Sequence, residues 1–273
     1  MIYHYTDLNA AKSIAERSEI WLTDFRYLND KEEFTKGYNV LCEALENYNN
    51  FSEVHPETFQ ESVKRAIKFI IEDNFSSMYG NNIFVSSFSK TPDLLSQWRS
   101  YGMYCLEFDG EYFKEENIYL LECHYVQNEV EALEYADTII EQFIMPALLD
   151  SWKKSEELFI DLELSSLLEI YALSFKHSAF YDEDEVRFVM SCSPDDERIE
   201  FRIKGQFLIP YVSYKFNPSI LKTLIVGPID NQEIAVVSLD MFANKIARRV
   251  REKGYHNEYY LLTETSNIPY RSL

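Results

Sequence analysis

The chain has 273 residues, of which 46% are hydrophobic and 15% aromatic, so it can bury a sizeable core. Its net charge of −20, from 46 acidic and 26 basic residues, argues against simple electrostatic binding to nucleic acid or to an anionic membrane. The 7 glycines and 8 prolines are too few for long linkers or disordered tracts. A basic groove would have to be built from a minority of residues such as Arg99, Lys176, Arg187 and Arg271.

The four cysteines, Cys42, Cys105, Cys123 and Cys192, are far apart and form no C-x-x-C pair. They predict small buried thiols in a reducing compartment, and we expect no metal because no ligand cluster is visible. The first residues, MIYHYTD, have neither a basic segment nor an apolar core, and no apolar stretch is long enough to cross a bilayer. These features predict a soluble, cytoplasmic protein with no membrane contact.

Short strands and amphipathic helices alternate in the first part of the chain, as the spacing of the apolar residues indicates. In chain order we expect a strand at 1–5, a helix capped by Thr6, a strand at 20–23, a helix started by Asn29 and Asp30, and a helix that begins near Pro56 and reaches Phe75.

The stretch 83–109 predicts a strand, a short helix and a second strand. The first strand ends in serines that include Ser87 and Ser89, and the helix carries Trp98 and Tyr101. Such hydroxyls could orient a ligand while an aromatic face stacks on a planar ring. Alternatively, the hydroxyls satisfy backbone groups at the strand end and the aromatics belong to the core.

Beyond this stretch the apolar spacing predicts a strand, then two long helices, and then further strands. We expect a strand at 119–126, helices over 129–153 (kinked or ended by Pro146) and 155–176, strands at 186–191, 200–203, 207–214 and 224–226, a helix with a capping box of Asp230 and Glu233, and a last strand at 259–262. This order predicts one α+β domain over 1–273, with a mixed or antiparallel sheet, flanking helices and a helical insertion at about 129–176.

Two further positions could carry chemistry. His4 lies in a strand between two tyrosines and is either a donor to a sugar hydroxyl or phosphate, or a half-buried histidine bonded to backbone. Glu185 is the last acid before an apolar strand, so it is either a rigid carboxylate in a cleft or a partner of Arg187. A rigid carboxylate can stabilise an oxocarbenium-like centre. Glu183 would share its face if the strand started early.

The sequence has no P-loop, G-x-G-x-x-G, H-E-x-x-H or G-x-S-x-G motif, which removes support for several enzyme classes. Six short segments along the chain form recognisable motifs: YHYT (3–6), Asn29–Asp30, the SFS…W…Y run (87–101), Lys176 with Glu185 and Arg187, I-x-G-P (225–228) and I-P-Y-R (268–271). In this order, and over nearly the whole chain, they resemble the motifs of a bacterial family of unknown function, DUF 2971. The Asn-Asp-Pro that this family often has is Asn-Asp-Lys here.

The same order of motifs is similar to that of the ADP-ribosyltransferase superfamily. This resemblance implies that His4 holds the adenosine-side ribose of NAD and that Ser87 and Ser89 shape the nicotinamide pocket. It also implies that Tyr101 or Trp98 stacks on the nicotinamide ring, and that Glu185 engages the ribose 2′-hydroxyl and stabilises the cation. The flanking residues Tyr5, Thr6 and Arg187 are expected to join this cofactor-binding set.

The resemblance implies an enzyme that transfers ADP-ribose from NAD to a protein or nucleic acid, or hydrolyses NAD, as a toxin or defence effector. Its partners would be a dinucleotide and an unknown macromolecular acceptor. The alternative is a non-catalytic sensor of a nucleotide or partner in a defence or stress system. A nuclease is a third hypothesis, which the net charge disfavours. The transferase hypothesis requires His4, Ser87 and Glu185 to converge on one pocket, and it fails if Glu185 and His4 point to opposite faces.

Overall fold

A computed structural model describes residues 1–28, 31–51, 55–72, 82–113, 118–155 and 160–269. The predicted Asn29–Asp30 pair, Phe75 and the last two residues of the I-P-Y-R motif lie outside these ranges. The strands are β1 (Ile2–Thr6), β2 (Glu19–Asp24), β3 (Asn82–Ser89), β4 (Tyr104–Phe108), β5 (Ile118–Glu122), β6 (His124–Val126), β7 (Phe175–His177), β8 (Glu185–Cys192), β9 (Ile199–Lys204), β10 (Phe207–Lys215), β11 (Leu221–Val226) and β12 (Leu262–Thr265). The helices are α1 (Leu8–Arg17), α2 (Lys31–Glu46), α3 (Glu57–Glu72), α4 (Leu95–Tyr101), α5 (Glu129–Ile139), α6 (Met145–Ser155), α7 (Ile160–Ala172) and α8 (Gln232–Glu252).

Ten of these strands form one mixed sheet, and β6 pairs with β7 in a separate parallel ribbon. The main order is β12-β11-β4-β1-β3-β2-β10-β9, and β8 lies between β3 and β5. The β11–β12 pair is parallel and the other pairs of the sheet are antiparallel. The prediction of an α+β fold with a mixed sheet and flanking helices is confirmed.

The sheet splits beside β3, and this split determines where a ligand could enter. On one edge, β3 pairs with β8 along its whole length. On its other edge, Ser89 pairs with Tyr3 of β1, while Val85 pairs with Thr23 of β2. Between these points β1 turns to β4 and β2 turns to β10, so residues 86–88 have no ladder partner from β1 or β2 in the described chain. The two strands therefore diverge and leave an opening that α1 bridges.

Each face of the sheet is covered by its own set of helices. On one face, apolar residues of α1 and α8 pack against the strands, with Ile14 and Ala243 as examples. On the other face, α2, α3, α5, α6 and α7 form one core with β3 and β8, and the short α4 covers β1, β4 and β11. The helices predicted as an insertion at about 129–176 thus share their core with α2 and α3, which precede β3 in the chain.

Local chemistry explains several element boundaries. Asp7, not the predicted Thr6, caps α1, and its carboxylate accepts from the amides of Asn9 (2.7 Å) and Ala10 (3.0 Å). The helix containing Pro146 continues past the proline, because a π turn at 140–144 joins α5 to α6. A π turn is one way in which a helix accommodates a local irregularity.

Four other expected boundaries are wrong. The strand predicted at 119–126 is interrupted at Cys123, where β5 ends and β6 begins. The helix expected to reach Lys176 ends at Ala172, so Lys176 lies in β7. The N-cap residue of the last long helix is Asn231, in a left-handed conformation and without a capping side-chain bond, and not the predicted Asp230. The final strand runs from Leu262 to Thr265 and not from 259 to 262.

None of the helices in the described part of the chain combines the length and the apolar character needed to cross a bilayer. The four cysteines are all free thiols.

Candidate functional site

A cavity of about 680 Å³ occupies the opening between β1 and β2. Its volume falls in the range of sites that bind small molecules. Residues from β1, α1, β2, β3 and β9 form most of its wall, together with residues of α4 and residues at or just before the start of β8. Among the predicted site residues, those that line it are Tyr5, Thr6, His4, Ser87, Tyr101 and Glu185.

The three strands that carry His4, Ser87 and Glu185 are neighbours in the sheet, in the order β1-β3-β8. Ser89 pairs with Glu185 and Ser87 pairs with Arg187. Directly paired residues of an antiparallel ladder project from the same face. The serines and the Glu–Arg pair therefore share the face covered by α2, α3 and α7.

His4 projects from the opposite face, because side chains alternate along β1 and Tyr3 pairs with Ser89. Its ring lies 5.3 Å from that of Phe88, which belongs to the core beneath α1 and α8. Both His4 and Glu185 nevertheless line the same cavity, because the opening between β1 and β2 joins the two sides of the sheet. The two side chains therefore reach one cavity from opposite faces of the sheet, which is the arrangement that the sequence analysis set against the transferase hypothesis.

The ring of His4 is held by the unpaired stretch of β3, since its Nδ1 lies 2.9 Å from the carbonyl oxygen of Ser87. A carbonyl only accepts, so Nδ1 carries the proton and Nε2 is free to accept in the neutral ring. Burial lowers the pKa of His4, although the bond to Ser87 opposes this shift. His4 is therefore a neutral imidazole near pH 7.

Glu185 belongs to a buried network of charges. Lys176 Nζ donates to Glu185 and also to Glu183 Oε2, at 2.5 Å in the second case. Arg187 donates to both oxygens of Glu185, through Nε at 3.1 Å and Nη2 at 3.2 Å, and to the carbonyl of Leu173 at 2.8 Å. Each carboxylate oxygen of Glu185 thus has at least one cationic donor.

These cations keep Glu185 ionised. Burial alone would raise the pKa of its carboxyl group, but the charges and hydrogen bonds of Arg187 and Lys176 outweigh burial and lower it from 4.5 to about 2. Burial lowers the pKa of Lys176, and the attraction of Glu185 and Glu183 outweighs this and raises it. Glu185 can therefore supply negative charge at neutral pH, but it is a poor proton acceptor.

The other predicted residues have different environments. Ser89 donates to the carbonyl of Glu183 at 2.8 Å and ties the end of β3 to the segment before β8. Trp98 is fully buried, and its indole donates to Asp93 at 2.8 Å. Neither residue lines the cavity, and nor does Arg187. Tyr101 is 49% exposed at the cavity wall, so it is the predicted aromatic whose ring can meet a ligand.

The sequence interpretation missed one wall of the cavity, which is formed by α1, β2 and β9. Trp21 of β2 is 41% exposed and packs on Tyr211, with ring centroids 4.4 Å apart. Arg202 of β9 lies over the Trp21 ring, with Cζ 5.8 Å from its centroid. Arg17 and Lys204 line the same cavity. The available signal was Trp21 itself, a large aromatic residue between two apolar residues of a predicted strand. In the structure Ile20 and Leu22 are in the core, so Trp21 points to the other face of the sheet.

In the described ranges, no group of three or more His, Cys, Asp and Glu residues is arranged to hold a metal ion. Comparison of the chain with protein-family models, with curated proteins and with solved structures finds no match.

Proposed function

We propose that the protein binds NAD in the cavity between β1 and β2 and cleaves it, in the manner of an ADP-ribosyltransferase or NAD glycohydrolase. His4 and Glu185 point to opposite faces of the sheet, which counts against this proposal, and it is kept because the cavity reaches both side chains. The observation that carries this proposal is that His4, Ser87 and Glu185, which are distant in sequence, lie on three adjacent strands and line one cavity. The resemblance of the motif order to the ADP-ribosyltransferase superfamily supplies NAD as the ligand, whereas the resemblance to DUF 2971 implies no ligand.

In this mechanism the bond between the ribose C1′ and the nicotinamide nitrogen breaks, and nicotinamide leaves with the bonding electrons. The ionised Glu185 stabilises the positive charge that develops on the ribose and accepts a hydrogen bond from the 2′-hydroxyl. Tyr101 stacks on the nicotinamide ring, Ser87 shapes its pocket, and the unprotonated Nε2 of His4 accepts from a ribose hydroxyl. Water or a nucleophile of a protein or nucleic acid then attacks C1′ and loses a proton to solvent.

The test measures nicotinamide release from NAD by the purified protein, with Glu185→Gln as the first variant. We expect the variant to lose about 10²- to 10³-fold in turnover, as for other preorganised electrostatic groups. Circular dichroism at the assay temperature checks that the variant is folded. No release by the wild-type protein, together with no transfer of labelled ADP-ribose to lysate components, would overturn the proposal.

A matched pair of substitutions on α1 tests where NAD binds. Ser13 lines the cavity, whereas the neighbouring Lys12 has a 58% exposed side chain and does not. We expect Ser13→Trp to fill the entrance and abolish NAD binding, while Lys12→Trp leaves binding unchanged. Equal affinity of the two variants for NAD, measured by isothermal titration calorimetry, would place the ligand elsewhere.

A second candidate, a non-catalytic nucleotide sensor, is favoured by the hydrogen bonds of Glu185. Because Lys176 and Arg187 already occupy both of its oxygens, Glu185 can serve as a structural anion beneath the cavity. On this hypothesis NAD raises the melting temperature of the wild-type protein and of Glu185→Gln equally, and no nicotinamide is released. A turnover that depends on Glu185 would exclude it.

A further inference from the structure

The carboxylates and the cations that line the cavity differ in whether they are already paired with other groups of the protein. Each carboxylate on its wall that the structure describes already has a donor from the protein. Asp7 caps α1, Glu19 lies 3.5 Å from Lys215 and 3.2 Å from Ser213, and Glu183 and Glu185 are bonded to Lys176.

The cations on the same wall differ in this respect. Arg17, Arg202 and Lys204 form no ion pair with a carboxylate in the described part of the chain. They come from the end of α1 and from β9, whose alternate residues face the same side. The carboxylate on the same side of β9, Glu200, is bonded to the Tyr211 hydroxyl and forms no ion pair with these cations within 4 Å in the described part of the chain. Three cations without an ion pair at one cavity stand out in a chain of net charge −20, and a cleft with low-dielectric walls concentrates their field.

Arg202 is held in place and incompletely bonded. Its Nη2 donates to the Thr23 hydroxyl at 2.8 Å, and its guanidinium group lies over the Trp21 ring. Its Nε is buried and has no hydrogen-bond partner. A buried N–H group without a partner is costly, so the native protein is expected to satisfy it with a ligand or water.

Arg17 lies in the same neighbourhood. The pKa of the Tyr211 hydroxyl is raised, mainly by its bond to Glu200 and by burial, while the charges of Arg202 and Arg17 both act to lower it. Arg17 and Arg202 both line the cavity, and Tyr211 packs on the same Trp21 ring that lies beneath Arg202. A fork of guanidinium N–H groups with a second cation nearby matches the geometry and charge of a phosphate ester.

We propose that Arg202, Arg17 and Lys204 form a phosphate subsite that binds the pyrophosphate of a nucleotide in this cavity, beside the exposed ring of Trp21. The proposal rests on the proposed function only in naming NAD as the physiological ligand. The subsite itself requires no cleavage of NAD, and it lies on the β2-β10-β9 side of the cavity, apart from Glu185. The same chemistry would accept free pyrophosphate, an ADP moiety or the backbone of a single-stranded nucleic acid.

Isothermal titration calorimetry with inorganic pyrophosphate, ADP and adenosine tests the subsite. We expect Arg202→Gln and Lys204→Gln to weaken the binding of pyrophosphate and ADP by about ten- to a hundredfold each, and to leave adenosine unaffected. Arg198→Gln is the control, because it removes a nearby cation that pairs with Asp196 at 2.7 Å and does not line the cavity. Wild-type protein that binds no pyrophosphate at millimolar concentration, or an equal loss in the Arg198 variant, would overturn the proposal.

Two further outcomes separate this proposal from the proposed function. Pyrophosphate and ADP binding that depends on Arg202, without nicotinamide release, supports the subsite and refutes NAD cleavage. Nicotinamide release with an unchanged KM for NAD in the Arg202→Gln and Lys204→Gln variants supports cleavage and refutes the subsite. Tighter binding of a single-stranded oligonucleotide than of ADP, with the same dependence on Arg202, would reassign these cations to nucleic acid and overturn the proposal as stated.

Discussion

Lys176 holds Glu183 and Glu185 together inside the protein, and its replacement by Met tests how much this network contributes to stability. The side chains of Lys176 and Glu185 are 4% and 7% exposed, so the variant leaves the buried Glu185 with one cation, Arg187, in place of two, and it also removes the ammonium group bonded to Glu183. Removing one partner of a buried ion pair destabilises a protein by about 3–5 kcal/mol. We therefore expect Lys176→Met to lower the free energy of unfolding by about that amount at pH 7, as measured by urea denaturation and circular dichroism.

The chain contains a suitable control in Lys90, whose ammonium group lies 2.6 Å from Glu122 in a pair that is 38% and 72% exposed. Exposed pairs contribute about 0–1 kcal/mol, so Lys90→Met should change the free energy of unfolding by less than 1 kcal/mol. A loss below about 1 kcal/mol in Lys176→Met would refute the argument. It would mean that Arg187 alone compensates the carboxylates, or that water replaces the lysine.

Three other predictions concern stability. Because the pKa of Glu185 is lowered from 4.5 to about 2, its ionised carboxylate adds to the free energy of unfolding above pH 4.5, and this addition is lost as the pH falls towards 2. Urea titrations between pH 4.5 and 2 should show that the free energy of unfolding falls by about 3 kcal/mol less in Glu185→Gln than in the wild type. An equal fall in both proteins would contradict the shift in pKa. Gly227→Ala places a Cβ 2.8 Å from the buried Trp98 ring and should lower the free energy of unfolding by about 1–3 kcal/mol. Gly110→Ala is the control, because its Cβ would lie 3.4 Å from the nearest atom and should change stability little. Equal effects of the two substitutions on thermal unfolding would refute the packing argument. Asp7→Ala removes the cap of α1 and should cost about 1 kcal/mol, to be checked by urea denaturation, and no loss would mean that water replaces the carboxylate.

The order of strands and helices was predictable because each element has its own periodicity, but long-range pairing was not. Motif order indicated that His4, Ser87 and Glu185 belong together, and the adjacency of β1, β3 and β8 is consistent with that expectation. The faces were not predictable, because the face of a residue depends on its register with a partner strand that is distant in sequence. The register places His4 opposite Glu185, and only the split beside β3 brings both to one cavity.

Lys176 shows why some boundaries could not be predicted. The apolar spacing of α7 continues towards it without a glycine or proline to mark an end. In the structure the chain leaves the helix at Ala172, and Lys176 enters β7, where pairing with β6 and the two carboxylates determine its position. Tertiary contacts thus override the local helical signal.

Arg202 was missed for a different reason. In β9 the apolar residues Phe201 and Ile203 alternate with charged ones, so the pattern predicts that the charged side faces solvent. The structure shows the reverse, since Phe201 and Ile203 are 59% and 82% exposed and Arg202 lines the cavity. A strand at the edge of a cavity can bury its polar side against a site, and alternation alone does not identify which side is inside.

The position of β1 in the interior of the sheet also bears on how the chain folds. β1 precedes its two neighbours in the chain, since β3 and β4 are complete only at Ser89 and Phe108, and β8 begins at Glu185. Sheets that depend on such distant pairings fold slowly, because loop closure precedes the gain from the contacts. During translation the apolar residues Ile2 and Tyr5 are therefore made before the strands that bury them, and until those strands emerge their exposed surface favours aggregation.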